Sequence, residues 1–314
     1  MRNTKNWFSI KEHGSKNGIS FLLTCYKFGG RWLFIIILFP VMFFYFVLRR
    51  DARHASIQYL EKMHRVDNTF PKPKLHHSFY HFWSFGLSLL DKFSVWMGNI
   101  RREDVTIHGD NYISDMINQG QGGVIFTSHL GNFEICHALS EGHNGMKLTV
   151  LHHSRHTAKF NEVLSRYSGD SQVELMQVGD LNIGTAIRLS EKITQGEFIA
   201  VASDRTPINN PKAVKIIDFL GQPAAFPTGP FSMALTLQCP ILALHCIKLK
   251  GRYHIYFEPL FEGEITNRKQ RSLALDTLMK KHVYRLEYFC KLAPWQWFNF
   301  YPFWAQDTTQ MDNQ

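Results

Sequence analysis

Cysteine is sparse in this chain of 314 residues. The five, at positions 25, 136, 239, 246 and 290, are odd in number and form no CxxC pair. That excludes a disulfide framework and fits a reduced, cytoplasmic setting for the globular part. No G-x-S-x-G elbow is present, so a serine nucleophile of that kind is absent. No internal repeat, low-complexity segment or nucleic-acid-binding motif is legible. The sixteen histidines include the cluster His152, His153 and His156, but no carboxylate or cysteine lies at a ligand spacing beside them, and no metal is expected. Acidic residues are also in deficit, 26 against 35 Lys and Arg, for a formal charge of +9. A basic balance suits an anionic partner, whether membrane phospholipid, an acidic carrier protein or nucleic acid. Aromatics at 14%, with 26 Phe, favour the membrane over nucleic acid.

One long apolar run is present. Trp32 to Leu48 carries no charge and reaches the lower length limit for a bilayer-spanning helix. Arg31 precedes it, Arg49, Arg50 and Arg53 follow, and Trp32 and Tyr45 lie near its ends as interfacial anchors would. Lysines also precede it, so charge sets no clear orientation. Pro40 leaves a re-entrant or interfacial course open, and a buried core helix is the plain alternative. Arg49-Arg50 stands where a signal peptide would need small residues for cleavage.

The rest of the chain is organised around Gly122 to Glu141. An apolar run from Val124 to Phe126, bounded by two glycines and a polar turn, reads as a buried parallel strand. A helix is expected near 132–142. His129 and Glu134, five residues apart, would face different ways on one continuous helix. They meet only if His129 occupies the turn before it, exposed at the carboxyl end of a strand, where ligands collect in open α/β sheets. Such a pair suits general base catalysis: the histidine takes the proton, and the carboxylate sets its tautomer and stabilises the imidazolium. The plain alternative is a histidine satisfying a backbone carbonyl and a glutamate in the first helical turn. Backbone N–H groups near Gly131 and Asn132 are the candidate oxyanion donors.

Further along, the pattern alternates. Strands are expected at 123–128, 147–153, 172–178, 197–203, 213–218, 240–248 and 252–259, with helices near 157–168, 182–195, 228–238 and 268–292. This predicts an α/β fold with a mostly parallel sheet flanked by helices. Upstream, Ala52 to Val66 reads as a basic helix and PKPKL at 71–75 as a break. The helix expected from His77 to Ile100 has an unusually wide apolar surface, for core packing or for the membrane surface. Arg155 and the adjacent Asp204 and Arg205 each follow an expected strand; a loop arginine or an internal ion pair is the plain reading. Thr228 is a candidate N-cap ahead of an apolar helix, with Gly229 beside it. The aromatic stretch WQWFNFYPFW at 295–304 fits a membrane-surface belt and a core wrap equally.

The H-x4-E turn after a Gly-Gly strand resembles the first block of the lysophospholipid acyltransferase superfamily, in the branch of late lipid A acyltransferases. LHHSRHTAKFNEVL at 151–164, IAVASDRTP at 199–207 and FLGQPAAFPTGPFSMAL at 219–235 fall in the expected order, and APWQWFNFYPFW at 293–304 is similar to a glycolipid-type subgroup. The resemblance covers roughly residues 57 to 304. It implies a glycerolipid acyltransferase-like fold, a bacterial inner-membrane anchor at about 32–48 within residues 1–50, and an acyltransferase domain over 51–304 facing the cytoplasm; the polar composition of 305–314 separately reads as a disordered tail. It implies acyl transfer from a thioester, on acyl carrier protein rather than acyl-CoA, to a membrane lipid or glycolipid hydroxyl, with His129 and Glu134 as the catalytic pair and no cofactor. Arg155 would position substrate, and Asp204 would organise the site. Arg205, which the family does not carry, would meet an anionic headgroup or phosphopantetheine. Thr228 and Gly229 would help hold acyl chain and headgroup. The rivals are a non-catalytic lipid- or carrier-binding protein and an acyl-ester or thioester hydrolase.

Overall fold

Strand β2 (Gly123–Thr127) is buried at all five residues. It lies between two parallel neighbours, β5 (Phe198–Ala202) and β8 (Ile241–Leu249). Side chains alternate across a strand, so Val124 and Phe126 enter one core and Ile125 the other. This computed structural model describes residues 16–136, 146–152, 173–177, 183–206, 212–262 and 267–304. The expected helix at 157–168 and the tail at 305–314 lie outside them.

Seven strands form the main sheet, in the order β1 (Val105–His108), β9 (Arg252–Phe261), β8, β2, β5, β3 (Leu148–His152) and β4 (Val173–Gln177). Only the β8/β9 hairpin is antiparallel, so the α/β expectation holds, with the β9 and β1 edge running the other way. Strands β6 (Val214–Phe219) and β7 (Gln222–Pro227) form a separate antiparallel hairpin. The expectation of one mostly parallel set therefore misplaces 213–218. Strands β1 and β7 and helix α4 (Asp110–Asn118) were not legible; β1 has four residues and β7 two prolines.

One face of the sheet packs on α7 (Arg268–Leu292), which presents Leu278, Met279, Val283, Leu286 and Phe289. Helices α5 (Ile183–Thr194) and α6 (Gly229–Leu237) accompany it. At the N-terminal end, α1 (Lys16–Leu48), interrupted at Gly30, lies along α3 (Leu75–Trp96). Phe34, Leu38, Met42 and Phe46, spaced by four, make its buried stripe. Their partners include Phe93 at 5.9 Å, Phe82 at 5.2 Å and Phe79 at 5.3 Å between ring centroids. Gly86 permits the approach, because a Cβ there would stand 2.9 Å from Met42. Helix α2 (Arg50–Val66) follows after a single residue, Arg49.

The aromatic C-terminal stretch wraps the core. Trp297, Phe303 and Trp304 are buried among Phe219, Phe226 and Tyr59. Burying each such ring is worth about 1.5–3 kcal/mol, which decides between belt and core.

Candidate active site

At the carboxyl end of β2 the chain turns through Ser128, His129, Leu130 and Gly131. Gly131 has φ of 73°, and a Cβ there would sit 1.8 Å from the carbonyl oxygen of Cys246, so only glycine fits. Three segments hold this turn. Phe298 N–H donates to His129 O at 2.9 Å, and Gly131 N–H to Gln296 O at 2.8 Å. Asn132 donates its N–H to Cys246 O at 2.9 Å and its side-chain amide to Ser88 O of α3 at 3.0 Å. The Gln296 side chain completes the clamp on Lys248 at the end of β8.

The imidazole of His129 donates from Nδ1 to Asp204 Oδ1 at 2.7 Å. The other carboxylate oxygen accepts from His129 N–H at 2.9 Å, Trp297 Nε1 at 3.0 Å and Asn299 Nδ2 at 3.1 Å. Asp204 is wholly buried, so four donors replace its water shell. Burial alone would push its carboxyl up, but His129 and Arg205 outweigh that and hold it well below the usual carboxylate range. His129 is held below the ordinary histidine value, by desolvation first, then by Arg205 and Lys92 against the opposing pull of Asp204. The ring is therefore neutral at pH 7. Its Nε2 has no hydrogen-bond partner among the described residues, and the side chain is 31% exposed. In this carboxylate-fixed tautomer the Nε2 lone pair is open to accept a proton.

Several expectations are corrected here. Glu134 does not hold the imidazole; its carboxylate pairs with Lys92 of α3 at 2.6 Å. Of the helix expected near 132–142, only Phe133–Cys136 lies among the described residues, as a 3-10 turn; 137–145 lie outside them. The N–H groups of Gly131 and Asn132 are already committed to carbonyls, so neither is an oxyanion donor in this arrangement. Arg205, expected to meet an anionic headgroup or phosphopantetheine, is held by the C-terminal stretch. Its Nε donates to Asn299 Oδ1 at 2.8 Å, and its guanidinium lies 5.8 Å from the Tyr301 ring. Thr228 stands at the N-cap position of α6, but its hydroxyl donates to Ala213 O at 3.1 Å and does not cap the helix. No hydrogen bond or ion pair links Thr228 or Gly229 to His129 among the described residues. Arg155 lies outside them. Trp297 and Asn299 are site residues that sequence reasoning missed; their alternation, two residues apart in a buried extended stretch, was the available signal.

A histidine backed by a buried carboxylate thus stands at the carboxyl edge of a largely parallel sheet, where ligands collect in α/β proteins. Residues 80–306 match the family model described as bacterial lipid A biosynthesis acyltransferase, and the chain belongs to that family. It is an acyltransferase, and the family implies acyl transfer to a lipid acceptor. A search of curated protein sequences finds no match to this chain. The family and the single helix among the described residues that is long and apolar enough to cross a membrane, near the N-terminus, suggest membrane association.

Proposed function

We propose that this acyltransferase carries an acyl chain from acyl carrier protein to a lipid or glycolipid hydroxyl at the cytoplasmic face of the bacterial inner membrane. The observation that carries the reading is the His129–Asp204 pair with Nε2 open. In this mechanism His129 Nε2 takes the acceptor hydroxyl proton as the oxygen attacks the thioester carbonyl. The tetrahedral intermediate collapses with cleavage of the C–S bond, and the departing thiolate takes the proton back from the imidazolium. The products are an ester and the free carrier thiol. Asp204 stabilises the transient imidazolium. Arg205 and Lys92, close enough to depress the His129 pKa, supply the positive charge that the committed N–H groups do not offer to the oxyanion.

The carrier as donor is supported by charge. The β8/β9 turn lies beside the catalytic turn, and there Lys250 and Arg252 are exposed. Three other basic residues are held in ion pairs: Lys248 with Asp91, Lys280 with Asp276 and Arg285 with Glu258. An acidic carrier would be steered to the exposed pair, more weakly as salt rises.

The test supplies detergent-solubilised enzyme with one acyl chain on carrier protein and on CoA, plus an extract of membrane lipids. Acylated lipid made faster from the carrier, with a margin that shrinks in salt, is expected. Equal rates at low salt would defeat the carrier assignment, and release of free acid alone would indicate a hydrolase. Neither product would indicate a binding protein.

A further inference from the structure

By length and composition, Phe28 to Leu48 is suited to cross a bilayer: 21 apolar-rich residues, about 31 Å of helix. Its packing argues otherwise. Contacts run from Tyr26, bonded to Ser94 at 2.8 Å, through Arg31, paired with Asp91 at 2.6 Å, to Phe46 against Phe79 and Phe82. Helices α1 and α3 are thus antiparallel neighbours from Tyr26 to Phe46 of α1. No linker frees the two. After Arg49, Arg53 of α2 donates to the carbonyls of Phe46 and Val47 at the end of α1. Helix α2 is itself tied to the core, Tyr59 donating to Pro294 O at 2.9 Å.

From this we infer that α1 lies in the plane of the cytoplasmic leaflet rather than across the membrane, with the catalytic unit resting on its inner side. The inference rests on the reading of membrane association above. An upright α1 would carry α2, α3 and the catalytic turn to the same depth. With them would go the polar Asn132, which bonds Ser88 two residues from the Gly86 that meets Leu38 and Met42 at the middle of α1, so the catalytic turn would lie near the bilayer centre. The irregular backbone of the turn would go too. Lying flat, α1 keeps those groups in water and still buries its outward face, where Trp32 is 79%, Ile36 68% and Phe44 65% exposed. Arg49 and Arg50 at its carboxyl end meet anionic headgroups, which is why lipid rather than a second copy is the occupant assigned.

The placement has a functional consequence. Helix α3 is sandwiched between α1 and the catalytic turn, which it touches through Ser88 and Lys92. His129 then stands about one helix spacing, 8–10 Å, above the leaflet. An acceptor hydroxyl reaches the base while its acyl chains stay in the bilayer.

The test places single spin labels at Trp32→Cys, Ile36→Cys, Phe43→Cys and Val47→Cys. The background replaces Cys25 and Cys239 by Ala, since Cys136, Cys246 and Cys290 are buried. The full-length protein is reconstituted in vesicles of phosphatidylethanolamine and phosphatidylglycerol, and depth is read from oxygen against nickel-chelate accessibility. Depths agreeing within about 5 Å, a helix radius, are expected. A rise from Trp32 to a maximum depth near the bilayer centre around Ile36 and Phe43, falling again at Val47, would overturn the inference in favour of a spanning helix. Exclusion of both relaxants would also overturn it, in favour of a second protein copy. Failure of unlabelled full-length protein to bind the vesicles would instead overturn membrane association itself, and acyl transfer by each labelled variant checks that it is folded.

Discussion

Asp204 lies 75 residues beyond His129 in the chain and 2.7 Å from its Nδ1. Glu134, the carboxylate nearer in sequence, is instead bound to Lys92. The two acids therefore have separable roles. Asp204→Asn is expected to lower kcat on the order of 10²-fold to 10⁴-fold, since a wrong tautomer disables the base. His129→Ala should abolish turnover, and Glu134→Gln, which frees Lys92, should cost less than Asp204→Asn. Steady-state kinetics of the three purified variants decide it; a Glu134→Gln loss equal to that of Asp204→Asn would contradict the assignment.

The pH dependence follows from the direction of the His129 shift. A base must be unprotonated, and its folded pKa lies below the ordinary value of 6.5. The acid limb of kcat/KM should therefore fall below pH 6.5, with the rate lost as pH drops through the lowered pKa. Because Arg205 contributes to the lowering, Arg205→Gln should move the limb upward. A limb that stays in place would show that the guanidinium does not act on His129.

Trp297→Phe keeps a large ring in the core and deletes one of the four donors to Asp204. The carboxylate, less well stabilised, should hold the imidazolium more strongly and raise the acid limb. The expected cost is roughly tenfold in kcat and about 1–3 kcal/mol in stability, measured by rate–pH profiles and urea melts. A stability loss with an unmoved pH profile would reduce Trp297 to a packing role.

Two buried histidines make stability pH-dependent apart from catalysis. His282, whose Nε2–H donates to Ser203 Oγ at 2.8 Å, is pulled down by burial to about 4, and His81 to about 3. Between about pH 6.5 and those values the unfolded chain binds protons that the native state does not. Stability should therefore be unaffected by these groups above pH 6.5, fall on acidification and level off below about 3. His282→Gln, which can still donate to Ser203, should flatten part of the slope in thermal melts. An unchanged slope would remove His282 from the account.

Much of the fold was legible because burial leaves periodic marks. Strands β2, β5 and β8 read as apolar runs, and α5, α6 and α7 lie within a residue or two of their expected bounds. The short β1 and the proline-bearing β7 left no such mark. At the site, His129 in its turn and Asp204 as organiser were expected, while the Glu134 pairing was not met. Sequence spacing limits which residues can meet, but Lys92 arrives from α3 and Asp204 from a neighbouring strand. Likewise, Gly131 and Asn132 have N–H groups in any conformation, and only Gln296 and Cys246 determine that they are occupied.

By itself, then, the sequence determined the α/β alternation, the turn that exposes His129 and an apolar helix matched to a lipid environment, since all three depend on residues near one another in the chain. The tertiary structure alone decided which carboxylate faces the imidazole, that Trp297 and Asn299 hold it, and that α1 packs along α3. Those outcomes depend on which distant segments compete for the same hydrogen-bonding groups and apolar surface, and that competition is resolved only when the chain has closed on itself.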